Sequence, residues 1–494
     1  MDRRTAGILL HPTSLPGPGP NGTLGADARA FVAFLEAAGQ GLWQMLPLGP
    51  PAAADSPYMA TSAFAMNPLL LDAEDLVARG WLDGAVLATR PHAGASSDFE
   101  VHAAWQREQL IPALVKGFAA GATDADRAAL EAFEAASHWL HDFALFETIG
   151  ARHRAGLWQA WPIALCDRHA EALAAFAAAE APAIAAVKLV QFAVDAQWQA
   201  VRAAANHAGI RIVGDIPIFV GLHSADVWVE RSLFELDADG QPAFVAGVPP
   251  DYFSEVGQRW GNPLFDWAAS EATGHRWWKQ RVRACLRQAD MVRIDHFRGF
   301  ESYWAIPAEA PDARSGSWRP GPGRPFFDAL RSELGELPII AEDLGIITPA
   351  VEELRDGLAL PGMKILHFAF SGGDDHPYLP HNYAVRCVAY TGTHDNDTTV
   401  GWYATCPAAE ADHARRYFGI DGTDIAWQVL EGLWRSPALL ALVPAQDLLS
   451  LGSEERMNRP GSAVGNWCWR LRDGALDAGV AARLRELSHR YGRS

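Results

Sequence analysis

Four acidic residues stand just past apolar runs, where an acid is costly unless it has a task. Asp215 ends Ile210-Arg-Ile-Val-Gly-Asp215 and Asp295 ends Met291-Val-Arg-Ile-Asp295. Glu342 follows Leu337-Pro-Ile-Ile-Ala341, and Asp395 lies in Gly392-Thr-His-Asp-Asn-Asp397 after Cys387-Val-Ala-Tyr-Thr391. Acids from separate segments that converge on one mouth suit glycoside cleavage. That chemistry needs an ionised carboxylate near the anomeric carbon and a protonated carboxyl at the leaving oxygen. Helix N-capping is the competing use of such residues, but each acid here precedes the next possible helix by two or more positions. Side chains alternate along a strand, so Arg293 and Asp295 share a face. A guanidinium beside Asp295 favours its ionised form, as a nucleophile requires. Glu342 suits the proton donor if burial or neighbouring negative charge raises its pKa. The adjacent Asp343 faces the other way, and a period of two does not choose between them.

The elements that position these acids repeat along the chain. Eight short apolar runs begin at Gly7, Leu42, Ile210, Met291, Leu337, Met363, Cys387 and Ala441. Each has the length and turn boundaries of a buried parallel strand, although prolines inside some of them cannot donate to a ladder. Helix-compatible stretches lie between: Asp27 to Ala38, Phe326 to Leu334, Thr348 to Leu358 and Pro407 to Phe418. The alternation predicts an α/β fold, a single elaborated (β/α)8 TIM barrel over residues 1–494. Barrel sites gather at the C-terminal ends of the strands, where the four acids fall. About 160 residues separate the second run from the third, where a crossover needs only a dozen or more. Helical patterns at Asp124 to Ile149 and at the Ala-rich Arg168 to His207, broken by Pro182, place a mainly helical insertion at about 75–180. A loop-rich insertion follows the third strand at 224–280.

Composition excludes several classes. With 41 Lys+Arg against 59 Asp+Glu the formal charge is −18, which argues against nucleic acid and against an anionic membrane surface. No window approaches a membrane span. Five scattered cysteines without a CxxC pair fit neither a disulfide framework nor a zinc site, and they point to a reducing, cytoplasmic setting. No metal or organic cofactor is implied. Gly17-Pro-Gly-Pro-Asn-Gly22 matches a dinucleotide fingerprint, but its prolines remove the N–H groups of a phosphate cradle, leaving a rigid loop. Asp237-Ala-Asp-Gly240 lacks the remaining ligands of a calcium loop and reads as a turn between two strands. Lys116, Lys188, Lys279 and Lys364 are the only lysines, and none ends a strand as a Schiff-base lysine would.

Aromatic content fits a sugar ligand. The chain holds 19 Trp, 22 Phe and 9 Tyr, and Trp43, Tyr58, Tyr252, Phe253, Trp260, Trp402, Trp467 and Trp469 fall where they could stack on the C–H face of a sugar ring. Most tryptophans still pack the core.

Longer stretches carry a resemblance. Gly7-Ile-Leu-Leu-His-Pro-Thr-Ser-Leu-Pro16, Asp55-Ser-Pro-Tyr58, Gly214-Asp-Ile-Pro-Ile-Phe219, Val292-Arg-Ile-Asp-His-Phe-Arg-Gly299, Ala341-Glu-Asp-Leu-Gly345, Tyr390-Thr-Gly-Thr-His-Asp-Asn-Asp397 and Arg456-Met-Asn-Arg-Pro-Gly461 with Gly465-Asn-Trp467 recur in one order. So does the long segment from Gly247 through Trp260 to Pro263. The sequence thus resembles the 4-alpha-glucanotransferases, or amylomaltases, of glycoside hydrolase family 77 in the alpha-amylase clan. The resemblance implies a partner of α-1,4-glucans, a nucleophile at Asp295 and an acid/base at Glu342 rather than Asp343. It implies that Asp395 binds the hydroxyls of the distorted sugar and stabilises the transition state. It further implies that Arg293, His394 and Asp215 line the donor subsite. Tyr58, Tyr252, Phe253, Gln258, Trp260 and Asn466 would contact glucan, with 247–260 as a loop over the cleft. A retaining mechanism would put the Asp295 and Glu342 carboxyls about 5–5.5 Å apart.

Overall fold

The computed structural model describes residues 3–52, 55–153, 156–250, 254–462 and 464–494. Every one of the eight apolar runs forms a strand: β1 (Thr5–Leu9), β2 (Leu42–Gln44), β3 (Arg211–Pro217), β4 (Met291–Asp295), β5 (Ile339–Ala341), β6 (Gly362–Ile365), β7 (Cys387–Tyr390) and β8 (Leu440–Pro444). They pair in parallel in the order β6-β7-β8-β1-β2-β3-β4-β5. The prolines that weakened some runs sit outside the ladder or at its end: Pro47 beyond β2, Pro338 before β5 and Pro444 as the last residue of β8.

Residues two apart fill the barrel. Leu42, Val213, Met291, Ile340, Met363, Ile365, Val388, Tyr390, Leu440 and Leu442 form the interior cluster. The intervening residues face the helices; Trp43, for example, meets Phe31 and Trp198 edge-on. Trp43 is therefore core, and its indole N–H is spent on the Leu10 carbonyl at 2.8 Å. Trp402, stacked on His367, is likewise buried.

The seam between β5 and β6 depends on one side chain. The Ala341 N–H donates to the Pro361 carbonyl at 2.9 Å, but the next rung is made by Asp343, whose Oδ1 accepts from the Met363 N–H at 2.7 Å. Its other oxygen pairs with Arg355. Gly362 is required there, because a Cβ would overlap the Asp343 carboxylate. Asp343→Ala orphans the Met363 N–H and removes one of the two carboxylate partners of Arg355. A loss of about 3 kcal/mol of unfolding free energy is expected, read as a lower urea midpoint at unchanged slope.

Between β2 and β3 lie helices Ala73–Ala78, Phe99–Trp105, Ile111–Gly121, Asp124–Ala136, Leu140–His153 and Ala170–Ala179, before Ala181–His207 returns along the barrel wall. The pattern from Asp124 to Ile149 is thus two helices. The Ala-rich pattern divides at Glu180 with a bend of 84°, because Pro182 fits only the first turn of the second helix. Among the described residues no single helix is long and apolar enough to cross a membrane.

The excursion after β3 is more regular than its composition foretells. Phe244–Val248 and Gln258–Pro263 are antiparallel strands, so the segment expected as a loop begins and ends within a paired sheet. Ser302–Pro307 and Ser317–Pro320, which follow β4, extend the same sheet. The Asp237 turn is closed by its own carboxylate, which accepts from the Asp239 and Gln241 N–H groups; a single bridge flanks it rather than two strands. The Gly17–Gly22 loop opens no helix until Ala26, and the Arg470 guanidinium fixes it through the carbonyls of Leu15, Gly17 and Gly19.

Candidate active site

Register brings the first three groups together. Asp215 on β3 lies beside Arg293 on β4, with Pro217 beside Asp295. The interior-facing series Met291, Arg293, Asp295 climbs from the packed core to the open mouth. Arg293 reaches sideways and upward at once: Nη1 donates to Asp215 Oδ2 at 2.6 Å and Nη2 to Asp295 Oδ1 at 2.7 Å. Its side chain is 4% exposed, whereas that of Asp295 is 29% exposed. The cation is sealed and the carboxylate is open to a ligand. Held between two carboxylates, the guanidinium is driven further above its usual range. Burial pushes Asp215 up to about 7 against the downward pull of Arg293.

Tyr58 and His394 continue the network. The Tyr58 hydroxyl donates to Asp215 Oδ2 at 2.8 Å, and its ring stacks on His394 with centroids 5.2 Å apart. Trp467 leans on both rings and holds a left-handed φ of 66°. His394 Nε2 lies 3.3 Å from Asp395 Oδ2. Burial lowers the pKa of His394 against the upward pull of the Asp395 charge. An unbroken path thus runs Asp295, Arg293, Asp215, Tyr58, His394, Asp395.

Glu342 follows β5 and turns toward the same mouth. Its Oε2 accepts from the His296 N–H at 2.7 Å and its Oε1 from the Leu344 N–H at 2.8 Å. His296 can aim its N–H there because it adopts φ 55°, ψ 47°, a left-handed geometry that costs an L-residue free energy and recurs at functional sites. Burial first, then the Asp295 charge, raises Glu342 to about 8 against the pull of Arg293 and the two N–H groups. Its surroundings therefore favour the protonated form. The adjacent Asp343 is committed to the β5–β6 seam instead.

Trp260 on Gln258–Pro263 meets the His296 ring edge-on at 4.9 Å, and its indole N–H donates to Gln258 Oε1. This places Gln258 and Trp260 next to the residue following Asp295. Tyr252 and Phe253 lie outside the described residues. Asn466 does not join the cluster: its amide accepts from the Arg459 N–H and donates to the Ser462 carbonyl, fixing its own loop while Trp467 reaches the site.

Sequence reasoning missed Asn458. Its Nδ2 donates to Asp395 Oδ1 at 2.6 Å, its N–H bonds to the His394 carbonyl, and Arg456 holds the Asp395 carbonyl. No period marks a residue in an irregular loop 63 positions from its partner. Among the described residues no group of three or more His, Cys, Asp or Glu could hold a metal ion. The mouth therefore offers an arginine-clamped carboxylate, a buried carboxyl whose surroundings favour the proton, a third acid on a fixed loop and aromatic walls.

A protein-family model described as 4-alpha-glucanotransferase matches residues 10–476. The chain belongs to that family. The 4-alpha-glucanotransferase of Thermus thermophilus is 47% identical over 98% of both chains, and that of Synechocystis is 44% identical over 100% of this chain and 99% of the relative. Among solved structures, the amylomaltase of Streptococcus agalactiae in complex with acarbose superposes with a TM-score of 0.96 at 36% identity, covering both chains completely. The amylomaltase of Corynebacterium glutamicum shares the fold at a TM-score of 0.77 and 21% identity, over 99% of this chain and 75% of that one. The (β/α)8 architecture and the 4-alpha-glucanotransferase activity expected from the sequence are thus those of its family. The enzyme acts on α-glucans.

Proposed function

We propose that the enzyme transfers α-1,4-glucan segments by a retaining double displacement with Asp295 as nucleophile. Asp295 attacks the anomeric carbon while the Glu342 carboxyl gives its proton to the departing 4-oxygen, leaving a covalent glucosyl-enzyme. Glu342, now ionised, takes the proton from the 4-hydroxyl of an incoming glucan as that oxygen displaces Asp295. Asp395, steered by Asn458 and His394, accepts hydrogen bonds from the hydroxyls of the distorted ring. Tyr58, Asp215, Arg293 and His394 line the donor subsite, and Gln258 and Trp260 contact the glucan further out. The observation that carries this reading is the Arg293 fork, which pairs with Asp295 and orients it while Glu342 is buried nearby with its pKa raised. No cofactor enters the scheme. The enzyme works in the cytoplasm, within glycogen or maltodextrin metabolism, a placement that five unpaired cysteines support.

Transfer outruns hydrolysis only where the acceptor sugar and the Gln258–Pro263 strand keep water from the intermediate. With maltotriose as sole substrate, reducing ends stay constant while shorter and longer oligosaccharides accumulate. A rising count of reducing ends without longer products would make the enzyme a hydrolase.

A further inference from the structure

We propose that the cleft enclosed by helices Asp124–Ala136, Ala181–His207 and Arg276–Gln288 is a second glucan-binding site that takes a short maltooligosaccharide against Trp139. None of the catalytic acids lines the cleft, which has a volume of about 610 Å³, within the usual range of small-ligand sites. Trp139 lines it with a half-buried ring held in place by neighbours: it stacks on Phe64 at an interplanar angle of 14° and meets Phe143 edge-on. A fixed aromatic surface gives the C–H face of a pyranose a partner at little cost in side-chain entropy.

The polar groups around this ring decide the ligand class. Gln191, in the same wall, spends both ends of its amide on Met66. By contrast, the side chains of Ser137, His138, Gln280 and Gln288 line the cleft without a hydrogen-bond partner among the described residues, as does the Trp139 indole N–H. The charged side chains are already matched: Arg287 pairs with Asp195 and Arg283 with Glu333. An anion would meet no uncompensated cation, and a purely apolar ligand would strand the amides. A neutral polyhydroxyl chain satisfies them all. The choice of glucan among such molecules rests on the transfer activity, since the enzyme works among glucan chains. Phe64, Ala284 and Gln288 also line the narrower cavity that reaches Tyr58 and Asp215.

The test uses Asp295→Asn enzyme, so that maltotriose binds without turnover. Calorimetric titration is expected to resolve two classes of site. Adding Ala132→Trp, which fills the cleft from an exposed helical position without deleting core, is expected to leave one class. In otherwise unaltered enzyme, Ala132→Trp leaves maltotriose disproportionation unchanged. Gln280→Ala with Gln288→Ala weakens the second class at least tenfold at an unchanged melting temperature. A single class in Asp295→Asn, or two classes persisting with Ala132→Trp, overturns the proposal. Displacement of maltotriose from the second class by inorganic phosphate overturns it too, by making the site anionic in preference. Should Asp295→Asn still turn maltotriose over, the nucleophile assignment fails instead, and the count of sites is then read with acarbose.

Discussion

Asp295→Asn lowers glucan transfer by about 10⁴-fold or more without disturbing the fold. The substitution keeps the shape and one oxygen for Arg293 Nη2, and the sealed Arg293–Asp215 pair beneath it is untouched. What disappears is the negative charge. A neutral amide oxygen is a poor nucleophile, so the covalent glucosyl-enzyme does not form, and the remaining acids offer only electrostatic stabilisation. Because Asp295 is partly open to solvent, its replacement orphans no deeply buried group, and the melting temperature stays within a few degrees. Disproportionation of maltotriose and thermal unfolding, measured together, separate chemistry from stability. Transfer within tenfold of the parent enzyme would remove Asp295 from the nucleophile's role.

How much of this site could be read from the chain depends on the kind of signal. Parallel strands buried on both faces read as apolar runs, and all eight were legible for that reason. Alternation placed Arg293 under Asp295 without coordinates. It also tells that Trp43, between inward Leu42 and Gln44, faces the helices; counting aromatics overlooked this. Periodicity could not tell that Asp343 is spent on the Met363 N–H and Arg355, partners 20 and 12 residues away. The four-stranded sheet over the mouth was illegible: its strands are short, mix aromatic with polar residues and come from two excursions on either side of β4. Asn458 and the left-handed turn at His296 belong to the same class. Tertiary contacts fix them, and no local preference announces them.

Glu342→Gln separates the donor's chemistry from its cost to the fold. Gln donates no proton to the leaving oxygen, so transfer from maltotriose falls by about 10²–10⁴-fold, the usual worth of a general acid. A donor such as α-glucosyl fluoride, whose leaving group needs no proton, loses far less in the first step. Stability moves the other way as pH rises. Burial and the Asp295 charge raise the folded-state pKa of Glu342 from 4.5 to about 8, so between those values the folded enzyme keeps a proton that the unfolded chain releases. The unfolding free energy therefore falls with increasing pH across this window, at up to about 1.4 kcal/mol per unit. Gln carries no such linkage. It supplies one acceptor oxygen where ionised Glu342 supplies two, for the His296 and Leu344 N–H groups, a cost of about 1 kcal/mol. Near pH 5 the variant is accordingly equal to the parent or slightly less stable, and by pH 9 it is more stable by a few kcal/mol. The parent's kcat/KM declines above about pH 8 as the acid ionises. Denaturant unfolding at both pH values checks the crossover: a variant equally destabilised at pH 5 and pH 9 would mean that Glu342 is ionised throughout, and the proton donor would have to be sought elsewhere.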